Sequence, residues 1–216
     1  MPMVVDLIVI GTAITLGPLH NSAFILLLAS RRGVRKGLAF VLSWLANLVV
    51  VIACVMLLTG GTPPRHHSTP STTALAAKLA IGVGLVVFGG YRLRRPPRPH
   101  RPPNWTGRID NASLGTAAAL AWLLQPWALV GAGAATVVDA DLSSLSDWLA
   151  LTGYCLLATL SLLVMELYTV WAPDAAQARL NALRAWLAQH QNQLVITLAL
   201  LAGLWLTASS IYALVT

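Results

Sequence analysis

The sequence predicts an all-α integral membrane protein of six transmembrane helices, arranged as two inverted three-helix repeats with proline-broken first and fourth helices. Three observations carry this. Of 216 residues, 57% are hydrophobic and only 10% are charged, against about 25% charged in a soluble domain, and the mean hydropathy is +0.73. Six stretches are apolar over about the 20 residues that a bilayer core demands of a helix. Two of them, the first and the fourth, carry a proline near the middle.

The spans are read in order at residues 4–30, 37–59, 74–93, 112–138, 147–171 and 194–215. The third is the weakest, because its uncharged part from Leu79 to Tyr91 is short and reaches full length only if Lys78 extends to the headgroups. Between spans five and six, Leu180, Leu183, Leu187 and Leu194 recur at helical spacing with Arg179, Arg184 and Gln189 elsewhere, which predicts an amphipathic interfacial helix near 175–190. The organisation is a first repeat at 1–93, a basic Pro-rich cytoplasmic linker at 94–111, and a second repeat at 112–216. Within the linker, RRPPRPHRPP (94–103) cannot be helical, since its prolines remove donors and fix φ.

Charge sets the orientation. Arg31, Arg32, Arg35 and Lys36 follow span one, and Arg92, Arg94, Arg95, Arg98, Arg101 and Arg108 follow span three, all on one side. Asp139, Asp141 and Arg65 fall on the other. The positive-inside rule then places a multi-pass chain in the cytoplasmic (inner) membrane with both termini outside. The net charge of +7 is explained by this topology, so no nucleic-acid partner is expected. No cleavable leader is expected, because the first apolar stretch lacks a basic n-region and is longer than an h-region. Cys54 and Cys155 lie in apolar runs with no CxxC, and His66-His67 stand without further ligands, so neither a redox centre nor a metal site is expected. No cofactor is expected either: phosphate-loop, zinc and hydrolase signatures are lacking.

The broken helices point to function. GPLHNS (17–22) and QPWALVGAG (125–133) place Pro18 and Pro126 at matching positions of the two halves. Interrupted helices in an inverted repeat are a sequence pointer to a transporter whose site lies at the midplane; prolines are also simply more frequent in membrane helices. Counting 1.5 Å per residue, His20 lies about 24 Å and Glu166 about 28 Å from the outer starts of their spans. Asn47, Gln125 and Trp127 fall near the middles of theirs. The candidate substrate and proton pathway is therefore Pro18, His20, Asn21, Asn47, Gln125, Pro126, Trp127 and Glu166. A carboxylate in hydrocarbon must be paired, wet or protonated. A carboxyl that loads and unloads a proton is one way to couple transport to a gradient, and His20 is a second candidate carrier. The alternative for Glu166 is an interfacial residue that reaches water. Asp6 and Lys78 near the outer ends are a candidate charged pair, the alternative being two charges that snorkel independently. Trp44, Trp105, Trp148, Trp171, Trp186 and Trp205 read as an interfacial belt, and Gly82, Gly89, Gly90, Gly131 and Gly133 as close-packing positions.

The turn ASRRGVRKGLAFVLSWLANL (29–48) and the ending LNALRAWLAQHQNQLVITLALLAGLWLTASSIYAL (180–214) resemble the GAP/Sap family, the glycopeptidolipid- and sulfolipid-addressing proteins, a branch of the LysE transporter superfamily. The resemblance covers essentially the whole chain. It implies a six-helix cytoplasmic-membrane protein of actinobacteria that helps to move envelope lipids or amphiphilic metabolites toward the surface. The superfamily's first-helix Gly-Pro-Asn pattern is matched by Gly17 and Pro18, with Leu19 and His20 intervening before Asn21, a departure that counts against an amino-acid cargo. The expected function is thus a membrane transporter or transport accessory for a lipid or amphiphilic small molecule, with membrane lipids around it and a proton as candidate coupling ion. Candidate protein partners are a second copy of the chain and a biosynthetic enzyme. The alternatives are an intramembrane enzyme or thiol-redox carrier, and an adaptor that recruits a biosynthetic complex through the basic loop.

Overall fold

The computed structural model describes residues 2–58, 72–94, 112–138 and 145–215; the linker residues 95–111 and the expectations that fall on His66-His67, Asp139 and Asp141 lie outside them. The described residues form eight α-helices and no strand: α1 (Pro2–Thr15), α2 (Pro18–Ala29), α3 (Gly33–Leu58), α4 (Thr72–Arg94), α5 (Leu114–Leu123), α6 (Trp127–Val138), α7 (Leu145–Trp171) and α8 (Pro173–Val215). Helix is the expected answer for apolar chain in a bilayer, where every backbone polar group needs an internal partner. Four helices are long and apolar enough to cross a membrane, and six spans result if α1 with α2 and α5 with α6 each count as one.

Both breaks fall where the prolines stand. α1 and α2 meet at 49° across Leu16-Gly17, and α5 and α6 at 69° ahead of Trp127. Proline is accepted at the first turn of a helix, where its missing N–H has no intrahelical partner, so Pro18 opens α2 and Pro126 precedes α6. A tight turn then reverses the chain from α2 into α3: Arg32 is left-handed at φ 58°, and a Cβ on Gly33 would collide with the Leu28 carbonyl, which makes glycine necessary there.

The helices pack with an internal correspondence. α1 lies on α7 as α5 lies on α3, α2 lies on α8 as α6 lies on α4, and the α4–α8 contact is the most extensive. Small residues make that contact close: a Cβ on Gly203 would sit 2.8 Å from the Gly82 carbonyl oxygen, and one on Gly89 would sit 2.8 Å from the Leu200 side chain. Gly133 is tight against Tyr154, whereas Gly90 faces open space and Gly131 meets only Ile81 at 3.7 Å, so these two are not close-packing positions.

The expected interfacial segment and sixth span lie on one helix, α8. Its 43 residues run helical without interruption from Pro173 to Val215, about 64 Å along the axis. No proline follows Pro173, so nothing removes a backbone donor at the expected junction. Leu180 and Leu187 are buried while Leu183 is exposed, and Arg92 of α4 reaches Asn192 at 3.3 Å.

Candidate functional site

The site is built on the two helix breaks and on the α3 face between them. At the first break Gly17 caps α2 without a side-chain acceptor, and the interruption leaves the Thr15 carbonyl without its helical donor. Asn21 supplies one: its Nδ2 donates to Thr15 O at 2.8 Å, and its Oδ1 accepts from Ser161 Oγ of α7 at 2.9 Å. Thr15 Oγ1 in turn donates to the Leu157 carbonyl. Asn21 thus holds the break together and fastens it to α7.

One residue earlier, His20 is 2% exposed and its ring stands 4.7 Å from that of Trp44 on α3. A Cβ at Gly17 would run into the imidazole, so that glycine makes room for it. Trp44 stacks on Phe40, which meets Phe24, and all three are fully buried. Asn47 is one turn beyond Trp44, and its Nδ2 donates to Oε1 of Gln125 in the second break. His20, Trp44, Asn47 and Gln125 therefore form a continuous buried run from one break to the other.

This run is electrostatically unfinished. Among the described residues, His20 Nε2, Trp44 Nε1, Asn47 Oδ1 and Gln125 Nε2 are all buried without a hydrogen-bond partner. Buried polar atoms are nearly always satisfied, and each one stranded costs about 1–3 kcal/mol. The run presents donors at Trp44 and Gln125, an acceptor at Asn47, and either role at His20 according to its tautomer. Helices α2 and α6 also start at the two breaks, and a helix N-terminus carries partial positive charge. The arrangement leaves hydrogen-bonding capacity between the breaks that a polar group would satisfy. Among the described residues there is no cluster fit to hold a metal ion.

Other expected residues go elsewhere. Trp127 is 48% exposed and meets Trp122 edge-on at 6.1 Å, so it faces away from the run. Glu166 is half-buried beside Gly37, where an added Cβ would strike its carboxylate and Leu28, and its Oε2 has no partner among the described residues. Ser161, which bonds Asn21, lies five residues before Glu166 on α7, about 7.5 Å, so Glu166 stands beyond the run, toward the end of the bundle that bears Arg31 and Arg35.

Asp6 and Lys78 do meet. Lys78 Nζ is 2.5 Å from Asp6 Oδ2, with side chains 8% and 4% exposed, and Trp205 Nε1 donates to Asp6 Oδ1 at 2.8 Å. Lys78 therefore turns inward to a partner rather than outward to headgroups. Trp44 leaves the expected interfacial belt, being fully buried against His20, whereas Trp205 is 40% exposed while it donates to Asp6. Sequence reasoning missed Trp44, Ser161 and Trp205 as members of polar clusters. The i, i+3 spacing of Trp44 and Asn47 was the available signal for the first.

A family model described as Sap, sulfolipid-1-addressing protein, matches residues 7–212. No curated protein matches, and no solved structure does.

Proposed function

We propose, for a chain that belongs to the Sap, sulfolipid-1-addressing protein family, that it moves an amphiphilic envelope lipid, or assists its movement, across the cytoplasmic membrane. The observation that carries this is the run of four unsatisfied buried polar atoms strung between two helix breaks. Such atoms suit a passing polar headgroup, which satisfies them in transit. The packing correspondence between α1–α7 and α5–α3, and between α2–α8 and α6–α4, supports reading the bundle as two inverted three-helix repeats that rock about this run. The broken helices support placement in the LysE transporter superfamily. The basic end, with Arg31, Arg32, Arg35, Arg92 and Arg94, is cytoplasmic by the positive-inside rule, which puts both termini outside. Glu166, with Oε2 unpartnered near that end, is the proton carrier in this reading.

The test is mass spectrometry of surface and intracellular lipids in cells lacking the gene, then restored with wild type, Asn47→Leu/Gln125→Leu or Glu166→Gln. An amphiphile held inside on deletion, released by wild type and still held with the double variant at equal membrane abundance is the expected result. Full rescue by the double variant overturns the site. Full rescue by Glu166→Gln removes proton coupling through that residue.

A further inference from the structure

A second place in the molecule has the form of a ligand site. Where α2 ends, α7 ends and α8 begins, a cavity of about 210 Å³ opens at the basic end of the bundle. Ile25, Leu28 and Leu180 make its apolar wall, and Ser30, Thr169, Gln177 and Asn181 its polar one. A single water needs about 10–15 Å³ by the same measure, so a group of ring size has room. A drug-sized ligand takes about 300–1,000 Å³, so a whole lipid does not fit.

The hydrogen bonds already made decide which headgroup suits it. Ser30 Oγ donates its proton to Leu27 O and accepts from Lys36 Nζ at 2.9 Å. Thr169 Oγ1 donates to Met165 O at 2.8 Å. Both hydroxyl protons are committed inside the protein, and what Ser30 and Thr169 still offer is acceptor lone pairs. Gln177 and Asn181 each offer a donor and an acceptor. A ligand that brings only acceptors, such as a sulfate or phosphate, would use two of the four groups. A ligand that brings hydroxyls uses all four. Lys36 behind Ser30 disfavours an ammonium; the same charge draws an anion, but an anion leaves the acceptor lone pairs of Ser30 and Thr169 unused.

We infer that this cavity binds the hydroxylated, uncharged headgroup of an amphiphile, with the aliphatic chain leaving along Ile25, Leu28 and Leu180. The inference rests on the transport reading only for its place in a sequence of events: the cavity is where cargo is first held at the basic end, before the run between the breaks.

The experiment uses the full chain in phosphatidylcholine nanodiscs, because alkyl-glycoside detergents would themselves occupy the site. An octyl glucoside carrying a photoreactive diazirine is the probe, with an octyl phosphate of the same chain beside it, and labelled peptides are mapped. The glucoside labels residues 25–30 and 169–181, excess octyl glucoside competes, and octyl phosphate does not. Gln177→Leu/Asn181→Leu, at two exposed positions on α8 whose change does not disturb packing, lowers labelling at least about ten-fold, as two lost hydrogen bonds of about 1 kcal/mol each require. Ala29→Trp, which fills the cavity from its rim, abolishes it. Equal labelling by the phosphate probe, labelling elsewhere, or labelling indifferent to the double variant overturns the inference. Labelling as expected in a chain that exports nothing would sink transport and leave this site standing. Lost labelling with export intact would do the reverse.

Discussion

Removing Lys78 from its partner is the sharpest perturbation the bundle allows. At 2.5 Å and an effective dielectric of about 20, the attraction between Lys78 and Asp6 is about 7 kcal/mol, most of it offset by several kcal/mol of desolvation for each ion. The intact pair is therefore a small net term. Taking away one member is a large one: Lys78→Met leaves the Asp6 carboxylate 3% exposed with Trp205 Nε1 as its remaining donor, a loss of about 3–5 kcal/mol. Asp6→Asn strands the ammonium and costs a similar amount, although the amide oxygen still accepts from Trp205. The double variant Asp6→Asn/Lys78→Met buries no charge and should recover at least about 2 kcal/mol of the summed loss, a coupling of the size that contacting residues show. The assay is reversible unfolding of the purified protein by sodium dodecyl sulfate in mixed micelles, followed by tryptophan fluorescence. High salt should leave the wild type unchanged, since a buried pair is poorly screened. Single variants within about 1 kcal/mol of wild type, or strictly additive losses in the double, would refute a buried, mutually compensated pair.

Two further predictions concern packing and the first break. Gly203→Ala should cost about 1–3 kcal/mol in the same unfolding assay, because its Cβ meets backbone at Gly82 O and Val86 N within 2.9 Å, and backbone cannot swing aside. Gly84→Ala on the same α4 has nothing within 4 Å and should be tolerated. Asn21→Leu should cost about 1 kcal/mol for each part-buried group it strands, namely Thr15 O and Ser161 Oγ. Adding Ser161→Ala should return the second part alone, and hydrogen exchange should quicken at the α1–α2 junction.

The spans were legible because their cause is local. A bilayer makes every backbone group find its partner within the helix, so length and hydropathy mark out α3, α4 and α7 to within a few residues, and Pro18 and Pro126 mark the breaks by the donor they lack. What each helix turns inward was not legible. Lipid tails and protein interior are equally apolar, so hydropathy along a span says little about which side faces the bundle. Trp44 and Trp127 show this: both lie well within spans, yet one is fully buried against His20 and the other is half exposed beside Trp122.

The amino-acid sequence by itself determined that this is a helical membrane protein, where its helices run, where two of them break, and which polar residues lie at depth. Only the tertiary structure decided which of those residues meet. It joined Asp6 to Lys78, gave Asn21 to the open carbonyl of Thr15, strung His20, Trp44, Asn47 and Gln125 between the breaks, and set Glu166 beside Gly37 and Leu28 toward the basic end. The reason is that rotation of a helix about its axis and its slide against a neighbour are set by side-chain packing, at contacts such as Gly82 on Gly203, which no local rule of chain chemistry records.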